Sequence, residues 1–253
     1  MIPLLVGLSI GIVVGLLGAG GGILSIPVLM YVLDQPAYAA AIGSLLGVAL
    51  TSAGSLTIHV RQSNVRIKEG LVFGTLSVLG SFLGARASLL IDDLLIVRVF
   101  AIFLLLVAVL FAYNTVRGST KVAPPRDGPM TWREKLGLIA VATVTGFATG
   151  LFGVGGGFMV VPALVLIMKM TMRHAVGTSL LVMVISSLVG ILGRLPFQGD
   201  LDFPLIGLFV AGSIVGGLIG SVFSSKIPQR VLTGTFAVLV AAVGIYTMCQ
   251  SWF

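Results

Sequence analysis

Residues 15–27 read GLLGAGGGILSIP and residues 150–162 read GLFGVGGGFMVVP, so the glycines and the proline recur 135 positions apart. Each copy lies inside an apolar stretch of more than thirty residues, longer than the roughly 20 residues that one helical membrane crossing needs. A glycine in a helix interior costs about 1 kcal/mol relative to alanine, so a cluster of four glycines predicts a break. Each stretch is predicted to form two half-helices joined by an irregular turn.

The composition excludes most soluble classes of protein. Apolar residues make up 57% of the 253 residues, charged residues make up 9%, and the mean hydropathy is +1.17, which is typical of a chain that lives in a bilayer. The net charge of +7 forms no continuous basic face, so we expect no nucleic-acid partner. One cysteine, Cys249, and two histidines are too few for disulfide or zinc chemistry, and we expect neither a metal nor another cofactor.

The apolar segments predict an all-α, polytopic integral membrane protein with eight hydrophobic units. A polar stretch from Arg117 to Lys135 divides the chain almost in half. We therefore expect an N-terminal transmembrane repeat (1–116), a cytoplasmic linker (117–134) and a C-terminal transmembrane repeat (135–253). The eight units lie near residues 2–33, 37–58, 70–91, 95–116, 135–169, 175–195, 203–225 and 229–250.

The basic residues indicate whether the first unit of each repeat crosses the membrane or dips in and returns. If every unit crosses, the fifteen Lys and Arg residues split nine to six between the two sides. If units one and five are re-entrant, twelve lie on one side, opposite Arg86, Arg98 and Arg194. Basic residues collect on the cytoplasmic side of membrane proteins, which favours the second arrangement. Each half then makes three crossings and one hairpin, and the two repeats are inverted, as in secondary transporters.

Two inverted hairpins would bring two helix N-termini together near the membrane midplane. The second half-helices are predicted to begin at about Ile23 and Phe158, where each directs free N–H groups and roughly half a positive charge at the centre. Such a cradle suits a tetrahedral oxyanion. The candidate ligands are the glycines Gly20, Gly21, Gly22, Gly155, Gly156 and Gly157 and the hydroxyls of Ser44, Thr51, Ser52, Thr178, Ser179, Ser186 and Ser187.

Three further polar residues are candidate ligands. Arg194 ends an apolar helix on the side that is poor in basic residues, where it binds an anion, reaches the interface or pairs with Asp200 or Asp202. Gln62 and Gln198 follow units two and six at equivalent repeat positions, which indicates a shared structural role or contact with substrate.

Helix packing is the alternative role for much of this pattern. Small residues let membrane helices approach closely, and a serine or threonine in such a helix usually bonds to a local carbonyl. The two histidines, His59 and His174, are expected near loops. The glycines expected to pack helices and not to bind substrate are Gly80, Gly84, Gly216 and Gly220.

A G-x-x-G-x-G-G-G segment followed by a proline in each half resembles the mark of the sulfite exporter TauE/SafE family, also called the toluene-sulfonate uptake permease family. The resemblance covers nearly the whole chain: its length, the duplication, both glycine motifs and the basic central loop. It implies transport of sulfur-containing anions such as sulfite, sulfoacetate, sulfolactate or other organosulfonates across the bacterial inner membrane. It leaves substrate and direction open, since relatives are associated with both export and uptake.

The sequence therefore predicts a secondary transporter and not an enzyme, with a central anion site that rocking of the two inverted halves exposes to each face in turn. A small-anion channel and a non-transporting membrane scaffold or assembly factor are the alternatives. Export of an anion could run on the membrane potential alone, whereas uptake would need a coupled proton or Na⁺. The expected partners are a small sulfur-containing anion and the lipid bilayer, and a homo-oligomer is left open. Both termini are expected in the periplasm.

Overall fold

A computed structural model describes residues 1–17, 22–116, 132–155, 157–166, 168, 170–197, 201–224, 227 and 229–252. All regular structure in these residues is helical, and the eight predicted units appear as ten helices because units one and five contain two helices each. The helices are α1 (Ile2–Leu17), α2 (Gly22–Tyr31), α3 (Ala37–Arg61), α4 (Ile67–Ser88), α5 (Asp93–Val116), α6 (Trp132–Phe152), α7 (Gly157–Leu166), α8 (Met172–Gly193), α9 (Phe203–Ser224) and α10 (Gln229–Trp252).

The outer surface of the bundle is apolar. Large side chains such as Leu79, Val109 and Val238 are about two-thirds exposed or more, and many others on the helices are at least half exposed. Helices α3, α4, α8 and α9 are long and apolar enough to cross a membrane, and shorter apolar stretches lie in α1, α2, α6 and α10. The exposed side chains therefore face lipid, and the predicted all-α, polytopic membrane fold is confirmed.

Helices α1, α3 and α9 run in the same direction, because the contacts between them advance together along each helix. Helix α2 joins the end of α1 to the start of α3, so it must run back against both of them. The first unit is therefore a re-entrant hairpin, as predicted. The contacts that fix these directions are Gly7 with Phe209, Gly15 with Gly217, Gly43 with Ile206 and Gly54 with Leu218.

Helices α4, α6 and α8 run in the opposite direction. Across the α3–α8 contact, Leu45 meets Gly190 and Ser52 meets Met183, so these two helices are antiparallel. Helix α7 returns between α6 and α8, and the second repeat is the inverse of the first. The contacts that align α4, α6 and α8 are Gly80 with Thr143, Gly84 with Phe147, Gly70 with Thr178 and Gly74 with Ile185.

The first helix of each repeat packs against the fourth helix of the other repeat, α1 on α9 and α6 on α4. At both interfaces a Cβ on any of the facing glycines would overlap a backbone carbonyl on the neighbouring helix. This approach allows Cα–H···O contacts of about 0.5–1 kcal/mol each. The packing role expected for four of these glycines is confirmed. The facing glycines are Gly7, Gly11, Gly15, Gly212, Gly216 and Gly220 for α1–α9, and Gly80, Gly84, Gly146 and Gly150 for α4–α6.

The helices thus form two four-helix units that do not coincide with the sequence repeats. One unit contains α1, α2, α3 and α9, and the other contains α6, α7, α8 and α4. The units meet mainly along α3 and α8, a contact that we call the α3–α8 seam. Helices α5 and α10 pack on each other beside the two units.

Polar residues at the segment ends cap the helices. The Asp92 carboxylate accepts from the Leu94 N–H at 2.9 Å before α5, and Asp202 accepts from the Leu205 N–H at 3.0 Å at the start of α9. A carboxylate at a helix N-terminus satisfies free N–H groups and complements the helix dipole. These acidic residues lie at segment ends because the helices need caps there.

Candidate functional site

The two glycine breaks meet in the interior of the bundle. Gly22 is the first residue of α2, and a Cβ on Gly22 would overlap the carbonyl oxygen of Val154, which lies between α6 and α7. Both residues are buried. One repeat's short helix therefore begins in direct backbone contact with the other repeat's break.

The break in the second repeat has a left-handed backbone on both sides of Val154. Gly153 and Gly155 have φ angles of 72° and 73°, a conformation that costs other residues about 1–2 kcal/mol. Gly153 packs against Ala41, and Gly155 packs against Val48 two helical turns further along α3. Conformation and space both require glycine at these two positions.

Both short helices begin beside this contact. Helix α2 starts at Gly22 and α7 starts at Gly157, and each contains ten residues. The first N–H groups of a helix have no partner within the helix, and the N-terminus carries about half a positive charge. Two oppositely directed helix N-termini therefore converge on one buried region, an arrangement that stabilises negative charge.

One unpartnered hydroxyl lies at the breaks. A Cβ on Gly155 would lie 3.1 Å from the Oγ of Ser187. Ser187 is fully buried, and its Oγ has no hydrogen-bond partner. A buried polar group left unpaired costs about 1–3 kcal/mol, and an anion held at the breaks would give this hydroxyl an acceptor.

The three candidate hydroxyls on α3 have different surroundings. Ser44 and Thr51 are buried and unpartnered, and Thr51 lies against Gly217 of α9. The Ser52 Oγ donates a 4.0 Å hydrogen bond to the Met183 sulfur across the α3–α8 seam. Position on one helix therefore does not bring these hydroxyls to one site.

The remaining candidates on α8 take part in helix packing. The Thr178 hydroxyl accepts from the Arg66 N–H at 3.0 Å, and the Ser179 hydroxyl donates to a carbonyl of its own helix at 2.7 Å. The Ser186 Oγ lies 3.2 Å from the Ser77 Oγ of α4. The Ser187 Oγ lies beside Gly155 in the break of the second repeat.

Sequence reasoning missed two buried polar residues on α3. Ser55 has no hydrogen-bond partner, and its Oγ would lie 3.1 Å from a Cβ on Gly217. His59, expected near a loop, is 1% exposed, with its Nε2 3.5 Å from the Ser224 Oγ and its Nδ1 unpartnered. The spacing of four from Thr51 to Ser55 to His59 marks one helix face and could have identified both.

Arg194 follows α8, seven residues beyond Ser187, and its side chain reaches the Leu151 carbonyl at the end of α6, two residues before Gly153. Its side chain is 1% exposed and is buried within the bundle. Its guanidinium donates to the Gly190 and Leu151 carbonyls at 3.4 Å each, and no described carboxylate lies within 4 Å. The expected partner Asp202 caps α9 instead.

Of the other candidates from the sequence, Gln62 lies apart from the breaks and the rest lie outside the residues that the structure describes. Gln62 ends α3, and its side-chain oxygen accepts from the Asn64 amide at 3.1 Å in the connection to α4. The candidates that lie outside the described residues are Gly20, Gly21, Gly156, Gln198 and the alternative partner Asp200.

Several membrane proteins are similar to the chain along nearly all of its length. A probable membrane transporter protein of Xylella fastidiosa (strain 9a5c) is 32% identical over 247 residues, which cover 96% of this chain and 92% of the relative. The probable membrane transporter protein YdhB of Bacillus subtilis is 28% identical, with 97% and 98% covered. A probable membrane transporter protein of Methanocaldococcus jannaschii is 27% identical, with 98% and 96% covered. No solved structure matches the chain.

The family model described as sulfite exporter TauE/SafE matches residues 3–247. This match spans both glycine breaks and all ten helices, so it includes the region where the two breaks meet. The chain therefore belongs to the sulfite exporter TauE/SafE family and is a multi-pass membrane transporter.

Proposed function

We propose that the protein is a secondary transporter of sulfur-containing oxyanions (sulfite, sulfoacetate or a related organosulfonate) with its binding site where the two breaks meet. The observation that carries the proposal is the contact of Gly22 with Val154, beside the unpartnered hydroxyl of Ser187. Two helix N-termini and one hydroxyl offer N–H and O–H donors to an oxyanion. The glycines leave room for its oxygens to approach the backbone.

The strength of such a site suits transport. Its donors are backbone dipoles and a neutral hydroxyl, and the charged Arg194 guanidinium lies at the edge of the break, where it donates to the Leu151 carbonyl at 3.4 Å. A transported ion must bind well enough to enter and weakly enough to leave. A site made of dipoles meets both demands, whereas a buried cation at its centre would hold the anion more tightly.

Alternating exposure of this site requires motion between the two breaks, and the breaks belong to different four-helix units. Helix α2 packs on α3, and α7 packs on α8. Within each unit, glycine–carbonyl contacts resist sliding because any shift meets backbone atoms. The α3–α8 seam is held by side chains such as Leu45, Ser52 and Met183, which can change rotamer. We assign the motion to this seam, so the moving bodies are the four-helix units and not the sequence halves.

The orientation in the membrane follows from the basic residues. Arg66 contacts Thr178, so the end of α3, the start of α4 and the start of α8 lie at one end of the bundle. This end carries Arg61, Arg66, Lys68 and Arg173 and is assigned to the cytoplasm. The linker 117–134 between repeats 1–116 and 135–253 is then cytoplasmic. The termini are periplasmic, and the membrane is the bacterial inner membrane.

The direction of transport depends on the driving force. An inside-negative potential favours export of an anion by about 2.3 kcal/mol per charge per 100 mV. Export therefore needs no coupled ion, and uptake needs a proton or Na⁺ to move with the anion. Proteoliposomes in which potential and ion gradients are imposed separately distinguish the two cases.

The test of the proposal is flux of radiolabelled sulfite, sulfoacetate and sulfate into proteoliposomes that contain the full chain. We expect saturable flux of a sulfur oxyanion, accelerated by unlabelled anion on the opposite side. Flux that neither saturates nor shows this counterflow would indicate a channel. No flux of any sulfur oxyanion under either potential would contradict the proposal.

A further inference from the structure

A cavity leads from one end of the bundle toward the breaks. Its outer lining includes the exposed Asp93 at the start of α5, and its inner lining includes Ala41 and Phe152. Ala41 packs on Gly153, the residue that follows Phe152 at the start of the break. By the distribution of basic residues this is the periplasmic end, so the cavity forms a vestibule between the periplasm and the breaks.

Arg194 lines this vestibule as a buried cation with no counter-ion among the described residues. Its side chain is 1% exposed, its Nε has no hydrogen-bond partner, and no described carboxylate lies within 4 Å of the guanidinium. The two hydrogen bonds from Nη1 and Nη2 to backbone carbonyls are long, at 3.4 Å each. A buried charge normally has a partner because burying it alone is expensive, so this guanidinium is suited to bind an anion.

We propose that Arg194 forms a second anion-binding site in the vestibule, for a small oxyanion with at least two oxygens on one atom, such as a sulfonate. The Nε–H and a neighbouring Nη–H form a planar fork that matches two such oxygens. The Nη groups each donate to one carbonyl and keep a second hydrogen for the ligand. This site adjoins the break of the second repeat, and its existence does not depend on transport.

The first repeat does not carry an arginine at the position that matches Arg194. The position in the first repeat that matches Arg194 is Val60, 134 residues earlier, and its side chain is 44% exposed. At that opposite end His59, in the last turn of α3, is buried. Among the described residues, a buried arginine therefore lies at the periplasmic end and a buried histidine at the other, so the two ends treat the same anion differently.

Asp93 weakens anion binding at this site by electrostatic repulsion. Its carboxylate lies at the vestibule mouth but beyond ion-pair distance of Arg194. Repulsion between the Asp93 carboxylate and an incoming anion weakens binding, because like charges repel most strongly where water is scarce. Asp93→Asn should therefore lower the anion concentration that half-saturates the site.

The experiment measures protection of a cysteine in the vestibule. Ser88 also lines the cavity, and its hydroxyl bonds to its own helix, so Ser88→Cys places a thiol there without removing a ligand. The exposed native Cys249 is replaced by serine. The full chain is reconstituted in liposomes and labelled with a membrane-impermeant maleimide. Methanesulfonate, which does not react with thiols or maleimides, is the probe, and sodium chloride at equal ionic strength is the reference.

We expect methanesulfonate, but not chloride, to slow labelling of Ser88→Cys at least about fivefold, and we expect Arg194→Gln to abolish this protection. Arg86→Gln is the matched control, because Arg86 is exposed near the same end and stacks on Phe82. It removes the same charge and should keep the protection. Equal loss in both variants, or no protection in the parent chain, would overturn the proposal.

Arg194→Lys covers the case in which the glutamine variant does not fold. It keeps the charge but loses the planar fork, so protection should require about tenfold more methanesulfonate. Protection of the lysine variant equal to that of the parent chain would contradict the proposal.

The two proposals can fail separately. If protection depends on Arg194 in a chain that shows no flux, the vestibule site is supported and the transport proposal alone is refuted.

Discussion

The α1–α9 interface and the α3–α8 seam are both helix contacts in the core of the same bundle, but they are built in opposite ways. At α1–α9, glycines of each helix lie against carbonyls of the other, with no space for a Cβ. At the seam the contacts are side chain to side chain, such as Ser52 with Met183 at 4.0 Å. The unpartnered hydroxyl of Ser187 lies on the seam helix α8.

The two kinds of contact have different roles: the glycine interfaces are rigid, and the α3–α8 seam is where the structure can move and bind. Backbone-to-backbone packing has one good arrangement, because any displacement brings carbonyls and Cα atoms into overlap. Side-chain packing has several, because rotamers can change. A buried hydroxyl without a partner is costly, and Ser187 of the seam helix α8 carries one beside Gly155. The glycine interfaces therefore hold each unit together, and the seam can open and bind.

The largest effect is expected where the glycine interface is broken. Gly216→Ala puts a Cβ on the Leu8 carbonyl, and we expect it to destabilise the protein by about 3 kcal/mol or more because neither backbone can move aside. Gly207→Ala is the matched control on the same helix, since nothing lies within 4 Å of its Cβ. It should be neutral or stabilise by up to about 1 kcal/mol.

Thermal unfolding of the two variants in detergent, with the yield of monodisperse protein, measures this difference. Equal stability of Gly216→Ala and Gly207→Ala would show that the α1–α9 interface is not packed backbone to backbone.

The next effect is expected on transport and not on stability. A disulfide between Ser52→Cys and Met183→Cys should lock the seam and abolish transport until it is reduced. The control pair is Leu104→Cys with Gly244→Cys on α5 and α10, where the two Cβ atoms would lie 3.1 Å apart, close to disulfide range. Both pairs are made with Cys249 replaced by serine.

Flux of a transported organosulfonate before and after oxidation provides the measurement, since sulfite itself cleaves disulfides. The α5–α10 disulfide should leave flux unchanged. Continued transport through a chain with an oxidised α3–α8 pair would show that the motion occurs elsewhere.

The smallest effect is expected from one hydroxyl. Ser187→Ala should weaken apparent anion affinity about tenfold, which corresponds to about 1.4 kcal/mol, and it should not lower stability, because the hydroxyl has no partner to lose. Ser213→Ala on α9 is the control, since that buried hydroxyl bonds within its own helix and should leave affinity unchanged. The concentration dependence of flux measures the apparent affinity, and the unfolding temperature measures stability. An affinity that stays the same in Ser187→Ala would remove this residue from the site.

The sequence predicted the units, the breaks and the inverted hairpins because each leaves a local signal. The length of an apolar run predicts the length of a helix, and clustered glycines predict a break. The distribution of Lys and Arg predicts the orientation in the membrane. The partners of the helices leave no such signal. The spacing of Gly7, Gly11 and Gly15 indicates a packing face, but the same pattern recurs at Gly212 to Gly220 and around Gly80, so the pairing of α1 with α9 had to come from the structure.

The surroundings of the candidate hydroxyls could likewise not be predicted from the sequence. Ser186 and Ser187 are neighbours in the chain, yet one packs against Ser77 of α4 and the other lies at the break. A rotation of 100° per residue separates their directions on the helix. Sequence alone named both residues but could not choose between them without knowing which helix lies on each side.

The most direct test of the account is the position of a bound anion between the breaks. Selenite resembles sulfite in shape and charge, and its selenium gives an anomalous signal in diffraction from crystals of the full chain. We predict a selenium peak between Gly22 and Gly155, with an oxygen within hydrogen-bond distance of the Ser187 Oγ. A map with no peak there, or with a peak beside Arg194 alone, would contradict the central site.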